Sequence, residues 1–249
     1  MMRGFKVDLH IHTCLSPCGD ASMIPPAIVS RARESGLDAI GIADHNSAAN
    51  VAAVREAGRS ARLSVLGGME VTSREEIHLL VFLDGMEELA SMQEFVYDGL
   101  AGTNDPAHFG EQLIVDEEGT RIGVTDRLLI GRTDHTVGAI VRAAHDRAGL
   151  VIGSHVDRPS FGLFSQLGFL PEDLELDAVE ISLRFPGGGS AREELLKKAG
   201  AQRLPWVGFS DAHFLDDIGA ACTEFWIQAP TVGELRRALR EEGGRGIRR

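Results

Sequence analysis

The sequence is short of cysteine, of positive charge and of long apolar runs, and each shortage excludes something. Three cysteines in 249 residues, an odd number, argue against a disulfide framework. Cys14 and Cys18 are separated by three residues, but no second cysteine pair is available to complete a structural zinc site. No apolar run approaches the ~20 residues that span a bilayer. Met1-Met2-Arg3-Gly4 leads directly into a strand-like segment, with no room for a signal peptide. These features predict a cytoplasmic protein without membrane association. Lys and Arg number 25 against 37 Asp and Glu, a net charge of −12. Such a balance disfavours a long nucleic acid as partner, because a phosphate backbone needs a basic surface. No basic, aromatic-studded segment offsets it.

What is present is an alternation of short apolar runs and amphipathic stretches. Strands are predicted at 5–11, 38–43, 63–67, 77–83, 150–153, 177–182, 206–209 and 223–228. Helices are predicted at 25–35, 48–57, 86–97, 136–147, 191–199 and 232–242. Pro25-Pro26 suits a first turn, Thr231 an N-cap, and Gly36, Gly149 and Gly200 lie just past last turns. Strands apolar on both faces and separated by helices predict a parallel α/β sheet closed into a barrel, within one domain spanning 1–249. Residues 99–132 break the alternation. They read as an insertion containing a β-hairpin around Asp116-Glu117-Glu118-Gly119, either a flap over the site or a surface hairpin without a role.

The chemistry collects where the strands end. Asp8-Leu9-His10-Ile11-His12 places Asp8, His10 and His12 on one face of a strand, with Leu9 and Ile11 directed into the core. Two imidazoles there can grip a metal ion, or be ordinary polar side chains at a strand terminus. Later strands deliver Asp44-His45-Asn46, then Glu70, then His155 with Asp157, then Glu180, then Ser210-Asp211-Ala212-His213. Parallel α/β barrels build active sites at this C-terminal rim. His78 precedes its strand and reaches the same rim only if residues 70–76 form a tight return. His108, His135 and His145 fall in the insertion or on a helix and stay outside the site. Arg158 and Arg184 follow strand ends and suit a phosphate, with a salt bridge to an acidic residue as the alternative for each.

The runs Asp8-Leu9-His10-Ile11-His12-Thr13, Gly41-Ile42-Ala43-Asp44-His45-Asn46, Gly68-Met69-Glu70-Val71, His155 and Ser210-Asp211-Ala212-His213 resemble, in order, the motifs of the PHP (polymerase and histidinol phosphatase) family. The resemblance runs from residue 7 to residue 213. It implies a distorted, TIM-like barrel of seven strands with outer helices, and two or three divalent metal ions. By that resemblance His10, His12, Glu70 and Asp211 hold a first ion, and Glu70, His78 and His155 a second. His45 and His213 contribute to a third. Cys18 stands where trinuclear relatives often carry another histidine, so it is either a thiolate ligand or a free thiol in a turn, with Asp20 then reaching the metal or the third position left empty. Asp44 is expected to orient a neighbouring imidazole. Imidazole and carboxylate ligands suit zinc, manganese or iron without distinguishing them. Glu70, Asp211 and His213 are the catalytic candidates.

The expected activity is hydrolysis of a small phosphorylated metabolite or nucleotide by a metal-activated water. A nuclease acting on nucleic-acid ends is the runner-up. A non-catalytic metal-binding regulatory module would predict lost ligands, and here the motifs are intact.

Overall fold

The computed structural model describes residues 1–248. In chain order the elements begin β1 (Arg3–Ile11), α1 (Pro25–Glu34), β2 (Ala39–Ile42), α2 (Val51–Ala61), β3 (Ser64–Thr72) and β4 (His78–Leu83). There follow α3 (Met86–Gly99), α4 (Pro106–Phe109), β5 (Leu113–Val115), β6 (Arg121–Val124), α5 (Val137–His145) and β7 (Leu150–Gly153). The chain ends with α6 (Leu163–Leu167), β8 (Ala178–Glu180), α7 (Gly189–Lys198), β9 (Trp206–Val207), β10 (Thr223–Ile227), α8 (Val232–Leu239) and β11 (Gly246–Arg248).

Local chemistry explains most element ends. Proline opens α1, where its missing N–H costs nothing. Thr136 and Thr231 cap α5 and α8 by accepting from the Ala139 and Glu234 amides, which satisfies donors the helix itself cannot. Helix α2 runs on to Ala61 and stops at Arg62 in the left-handed conformation, past the end its apolar spacing suggested.

Nine strands form one curled sheet in the order β11-β10-β1-β2-β3-β4-β7-β8-β9. Beyond β9 the chain returns to β1. His12 N–H donates to the Ala212 carbonyl (3.0 Å) and Ala212 N–H to the His10 carbonyl (2.9 Å), drawing the sheet together at one rim. This is the distorted, TIM-like barrel that the motifs implied. One apolar layer packs strand residues such as Ile40, Met69 and Val151 on α1, α2, α3 and α5. The opposite face gathers Leu9, Phe82, Ile152 and Phe209, with Leu235 and Leu239 of α8.

The expectation of a parallel sheet fails at three strands. β4 is antiparallel to β3 and β7, β10 to β1, and β11 to β10. The five residues between β3 and β4 are too few for a crossover. They form a turn in which Ser73 N–H donates to the Ile77 carbonyl and Glu76 N–H to the Ser73 carbonyl. The reversal puts His78 opposite Thr72, at the rim where β3 ends. Gly68 lets the two strands approach: a Cβ there would lie 2.4 Å from the Val81 carbonyl oxygen.

Strict alternation also fails in β1, where the pairing with β2 shifts between Asp8 and Ile11. Asp8 therefore leaves the histidine face. Its carboxylate accepts from the Ser210 and Gly219 amides and fixes the 208–219 loop to β1. Within the insertion, β5 and β6 pair as a hairpin, as read from the sequence. Its base is tied to the barrel: Asn50 bonds the backbone at Leu113 and Val115, and Asn46 bonds the carbonyls of Leu129 and Gly131. The hairpin braces the loops after β1 and β2 from the side.

Candidate metal centre

Glu70, at the end of β3 and 1% exposed, lies at the middle of the rim. Its Oε1 is 3.0 Å from His78 Nδ1, 3.1 Å from His155 Nε2 and 3.4 Å from His10 Nε2. Its Oε2 is 3.1 Å from His45 Nδ1 and 3.6 Å from His12 Nε2. Asp211 Oδ1 lies 3.1 Å from His10 Nε2 and 3.4 Å from His12 Nε2. His213 stacks on His12 with ring centroids 4.3 Å apart. Among the side chains named from strand ends, His10, His12, His45, Glu70, His155, Asp211 and His213 thus converge in one place.

Proton bookkeeping shows what the imidazoles offer. Asp44, an acceptor when ionised, takes the Ser16 hydroxyl proton at 2.7 Å. Ser16 Oγ can then only accept from His12 Nδ1, 3.0 Å away, and from the His45 amide at 3.1 Å. His12 Nε2 is left as a lone pair. Asp44 therefore acts on His12 through Ser16, a step longer than the sequence suggested. His10 Nδ1 donates to Glu180 at 3.0 Å, so Nε2, 3.3 Å from His12 Nε2, is the nitrogen that His10 turns to the cluster, protonated while the ring is charged. Two imidazole nitrogens and two carboxylates thus meet at one point, where a proton or a metal cation must lie between them.

The electrostatics agree. Burial works against a charged His10, yet Asp211, Glu180 and Glu70 hold its pKa well above the ordinary value. Burial opposes ionisation of Glu70 too, but His78, His10 and His45 bring its pKa well below the carboxylate range. Burial and the neighbouring His213 push His12 down to about 4. The carboxylate charge that keeps a proton on His10 against burial would equally favour a metal cation.

Two observations test the fit to metal. The buried Nδ1 atoms of His45 and His155 have no hydrogen-bond partner, although His45 Nδ1 is close to Glu70. Moreover, ligand atoms fall into three groups, each with all atoms within 4.8 Å of one another: His10, His12 and Glu70; His45, Glu70 and His78; and His12, Cys18, His45 and His213. Imidazole, carboxylate and thiol donors at these separations fit transition-metal ions. Cys18 sits at the exposed edge of the third group. Asp20 is used elsewhere, accepting from the Ser22 amide and hydroxyl.

Backbone strain collects here as well. His155 and Asp211 have φ of +25° and +51°, values that non-glycine residues hold mainly where surrounding structure imposes them. The backbone turns so that both side chains face Glu70 and His10.

A cavity of about 390 Å³ adjoins the cluster, bounded by Asp211 and His213 at one side and by Arg158, Leu183, Arg184 and Phe214 at the other. Arg158 pairs with Asp211. The Arg184 guanidinium has no partner among the described residues. Asp157 faces away, accepting from the Ser182 amide and hydroxyl. His135 bonds the Phe95 carbonyl and His145 bonds Asp177, while His108 packs on Phe109; all three lie outside the cluster. The residue left without a role from sequence was Glu180. Its position at a strand end was visible, but its partner, 170 residues away, was not.

Residues 8–142, more than half of the chain, match the family model described as PHP domain, and residues 189–242 match one described as PHP-associated. No functionally curated protein matches the sequence significantly. The fold is similar to that of a lesion-specific endonuclease from Pyrococcus furiosus, with 18% identity and a TM-score of 0.72, covering 98% of this chain and 58% of that one. A complex of endonuclease Q with a 27-mer duplex carrying an abasic lesion at the active site gives 18% identity, a TM-score of 0.73 and the same coverages. A protein from Bifidobacterium adolescentis assigned as a metal-dependent phosphoesterase matches at 21% identity and a TM-score of 0.56, over 84% of this chain and 87% of that one. The chain therefore spans 58% of the length of the endonucleases it resembles in fold. On the family-model match and on its histidine–carboxylate centre, the chain belongs to the PHP domain family.

Proposed function

We propose that the protein is a metal-dependent phosphoesterase that hydrolyses a small phosphorylated metabolite or nucleotide, with residues 1–249 acting as one catalytic unit. The observation that carries this reading is Glu70 ringed by imidazoles, next to a cavity walled by two arginines. His10, His12, Glu70 and Asp211 would hold one ion, and Glu70, His78 and His155 a second. His45, His213 and Cys18, beside His12, would complete a third position. Bound there, divalent ions would make hydroxide available near neutral pH and neutralise charge on a phosphoryl group.

The chain's own groups supply the rest. Arg158, already against Asp211, stands beside the point where a phosphoryl oxygen would meet the cluster. Arg184, unpaired at the mouth, is free to take a second anionic oxygen. His213 donates its Nδ1–H to the Asp211 carbonyl at 2.8 Å. Its Nε2 is then a lone pair that would bind the third ion where that position is filled, and act as a base at the leaving oxygen only where it is not. Leu183 and Phe214, 53% and 55% exposed, give the mouth an apolar wall against which a non-phosphate portion can rest. A cytoplasmic location is in keeping with three free thiols. No described helix is long and apolar enough to cross a membrane.

The likeness to endonuclease structures favours a second reading, a nuclease. A cavity of about 390 Å³ admits one nucleotide unit and not a duplex, so a nuclease would act on an end or on a nucleotide turned out of the stack. One experiment separates the two. Zinc- or manganese-loaded protein is assayed for phosphate release from sugar phosphates and nucleotides, and in parallel for cleavage of duplex DNA with an abasic site. Turnover of small esters with intact DNA establishes the first reading, and nicked DNA without phosphate release replaces it with the second.

A further inference from the structure

We infer that Glu180 is a positioning residue that fixes, through one carboxylate, the two imidazoles His10 and His155. The inference rests on the metal-centre reading above and names a residue that neither the motifs nor the family model single out. Glu180 ends β8 and is fully buried. Both oxygens are engaged with residues of other strands. His10 Nδ1 lies 3.0 Å from Oε2 and 3.2 Å from Oε1. The His155 amide donates to Oε2 at 3.0 Å. Ser154 Oγ lies 3.3 Å from Oε2, but its single proton goes to Glu70 at 2.7 Å.

These contacts do two separate things. A carboxylate can only accept, so Glu180 keeps a proton on His10 Nδ1, and Nε2, facing Glu70 and Asp211, is the nitrogen left to exchange its proton for a metal. Which ring nitrogen binds a metal is set by the hydrogen bond that the other one makes. The bond to the His155 amide pins a residue at φ +25°, a conformation that would relax without an outside partner. Relaxation there would swing His155 Nε2 away from Glu70, now 3.1 Å distant. In the assignment proposed above His10 would serve the first ion and His155 the second, so Glu180 aligns donors of both. No aspartate or glutamate other than Glu180 accepts a hydrogen bond from His10 Nδ1 or from the His155 amide among the described residues.

The arrangement makes a specific prediction for Glu180→Gln. The amide side chain is isosteric but carries an NH2 on one side. With its oxygen at the Oε2 position, glutamine keeps both hydrogen bonds but sets its NH2 3.2 Å from the protonated His10 Nδ1; with its NH2 there, it confronts both His10 Nδ1 and the His155 amide. Either way the grip on His10 weakens, and zinc affinity should fall about 10–100-fold.

Two measurements decide it. In zinc-loaded, 15N-histidine-labelled wild type, His10 should show a protonated, exchange-protected Nδ1 and a metal-shifted Nε2. A metal-bound Nδ1 overturns the inference, and this arm needs no variant to fold. In a zinc titration followed by metal analysis, Glu180→Gln should bind more weakly than wild type, with unchanged far-ultraviolet circular dichroism. Equal affinity and stoichiometry overturn the positioning role while leaving the metal centre intact. A wild type that takes up no zinc overturns the positioning role and the metal centre together.

Discussion

At the scale of single residues, the two oxygens of Glu70 serve five imidazoles and the Ser154 hydroxyl within 3.6 Å. Glu70→Gln keeps the shape but removes the anion, so the second ligand group loses its one carboxylate. Metal-ion catalysis supplies several kcal/mol of charge stabilisation, so phosphate release should drop at least about 10³-fold. Far-ultraviolet circular dichroism should stay close to wild type, and metal analysis should show reduced content. Near-normal turnover by a folded, metal-loaded variant would sink the assignment of Glu70. Cys18 poses a different question. Burial and the carboxylates of Glu70, Asp44 and Asp211 all push its thiol well up, so without a cation it stays a thiol. A bound zinc reverses that field and favours the thiolate. Cys18→Ser should then remove one zinc per chain, and a zinc-loaded structure should show a sulfur–metal distance of about 2.3 Å. Full zinc content in the variant would leave Cys18 as a turn residue.

At the scale of elements, strand ends carried most of what could be read in advance. His10, His12, Glu70, His155 and Asp211 each follow an apolar run, and the rim of a curled sheet is where such ends meet. Strand direction was not legible, because periodicity is the same whichever way a strand runs; the short β3–β4 turn decided it for His78. The irregularity in β1 was invisible for a similar reason, since a one-residue shift leaves composition untouched while moving Asp8 off the histidine face. Glu180 escaped because its meaning lies in a partner on another strand. The seat of the hairpin depends on Asn46 and Asn50, polar residues that look like ordinary loop. Helix α8 gives a further case. Its Arg236 Nε donates to Asp177 Oδ1, which also faces Arg240, while Asp177 Oδ2 accepts from His145 and the Val151 amide. Burial opposes the charge, but the bond to His145 and the others lower the Asp177 pKa. A lowered carboxylate pKa adds stability that is present above the unfolded value, near 3.8, and is lost as pH falls through the folded one. Asp177→Asn should therefore cost about 2–3 kcal/mol at neutral pH, measured by urea unfolding. The gap from wild type should close in acid, and a gap that widened below pH 4 would contradict this account.

At the scale of the molecule, the metal centre is also a burden on the fold. Glu70, Asp211, Glu180, Asp44 and five imidazoles are packed at a rim almost closed to water, in a chain of net charge −12. Without a cation the carboxylates rely on imidazole protons, the Ser154 and Ser16 hydroxyls, the His155 amide and Arg158, and the Nδ1 atoms of His45 and His155 are left without partners. Unfolding relieves that crowding, so the metal-free protein should be markedly less stable than the loaded one. Binding to the folded state alone contributes about 4 kcal/mol when free metal exceeds Kd a thousandfold. At about 2–4 °C per kcal/mol for a chain of this size, the loaded protein should melt about 8–16 °C higher. The check is a thermal melt of zinc-loaded protein, of the same sample after chelation and dialysis, and of the chelated sample with zinc restored. Recovery of Tm with zinc, but not with an equal ionic strength of sodium chloride, separates site binding from charge screening, which acts on exposed charges and little on a buried cluster. Glu70→Gln should show a smaller rise with zinc than wild type, since it lacks the central anion. A Tm indifferent to zinc in wild type would mean that the rim is stable without metal, and the crowding argument would fall.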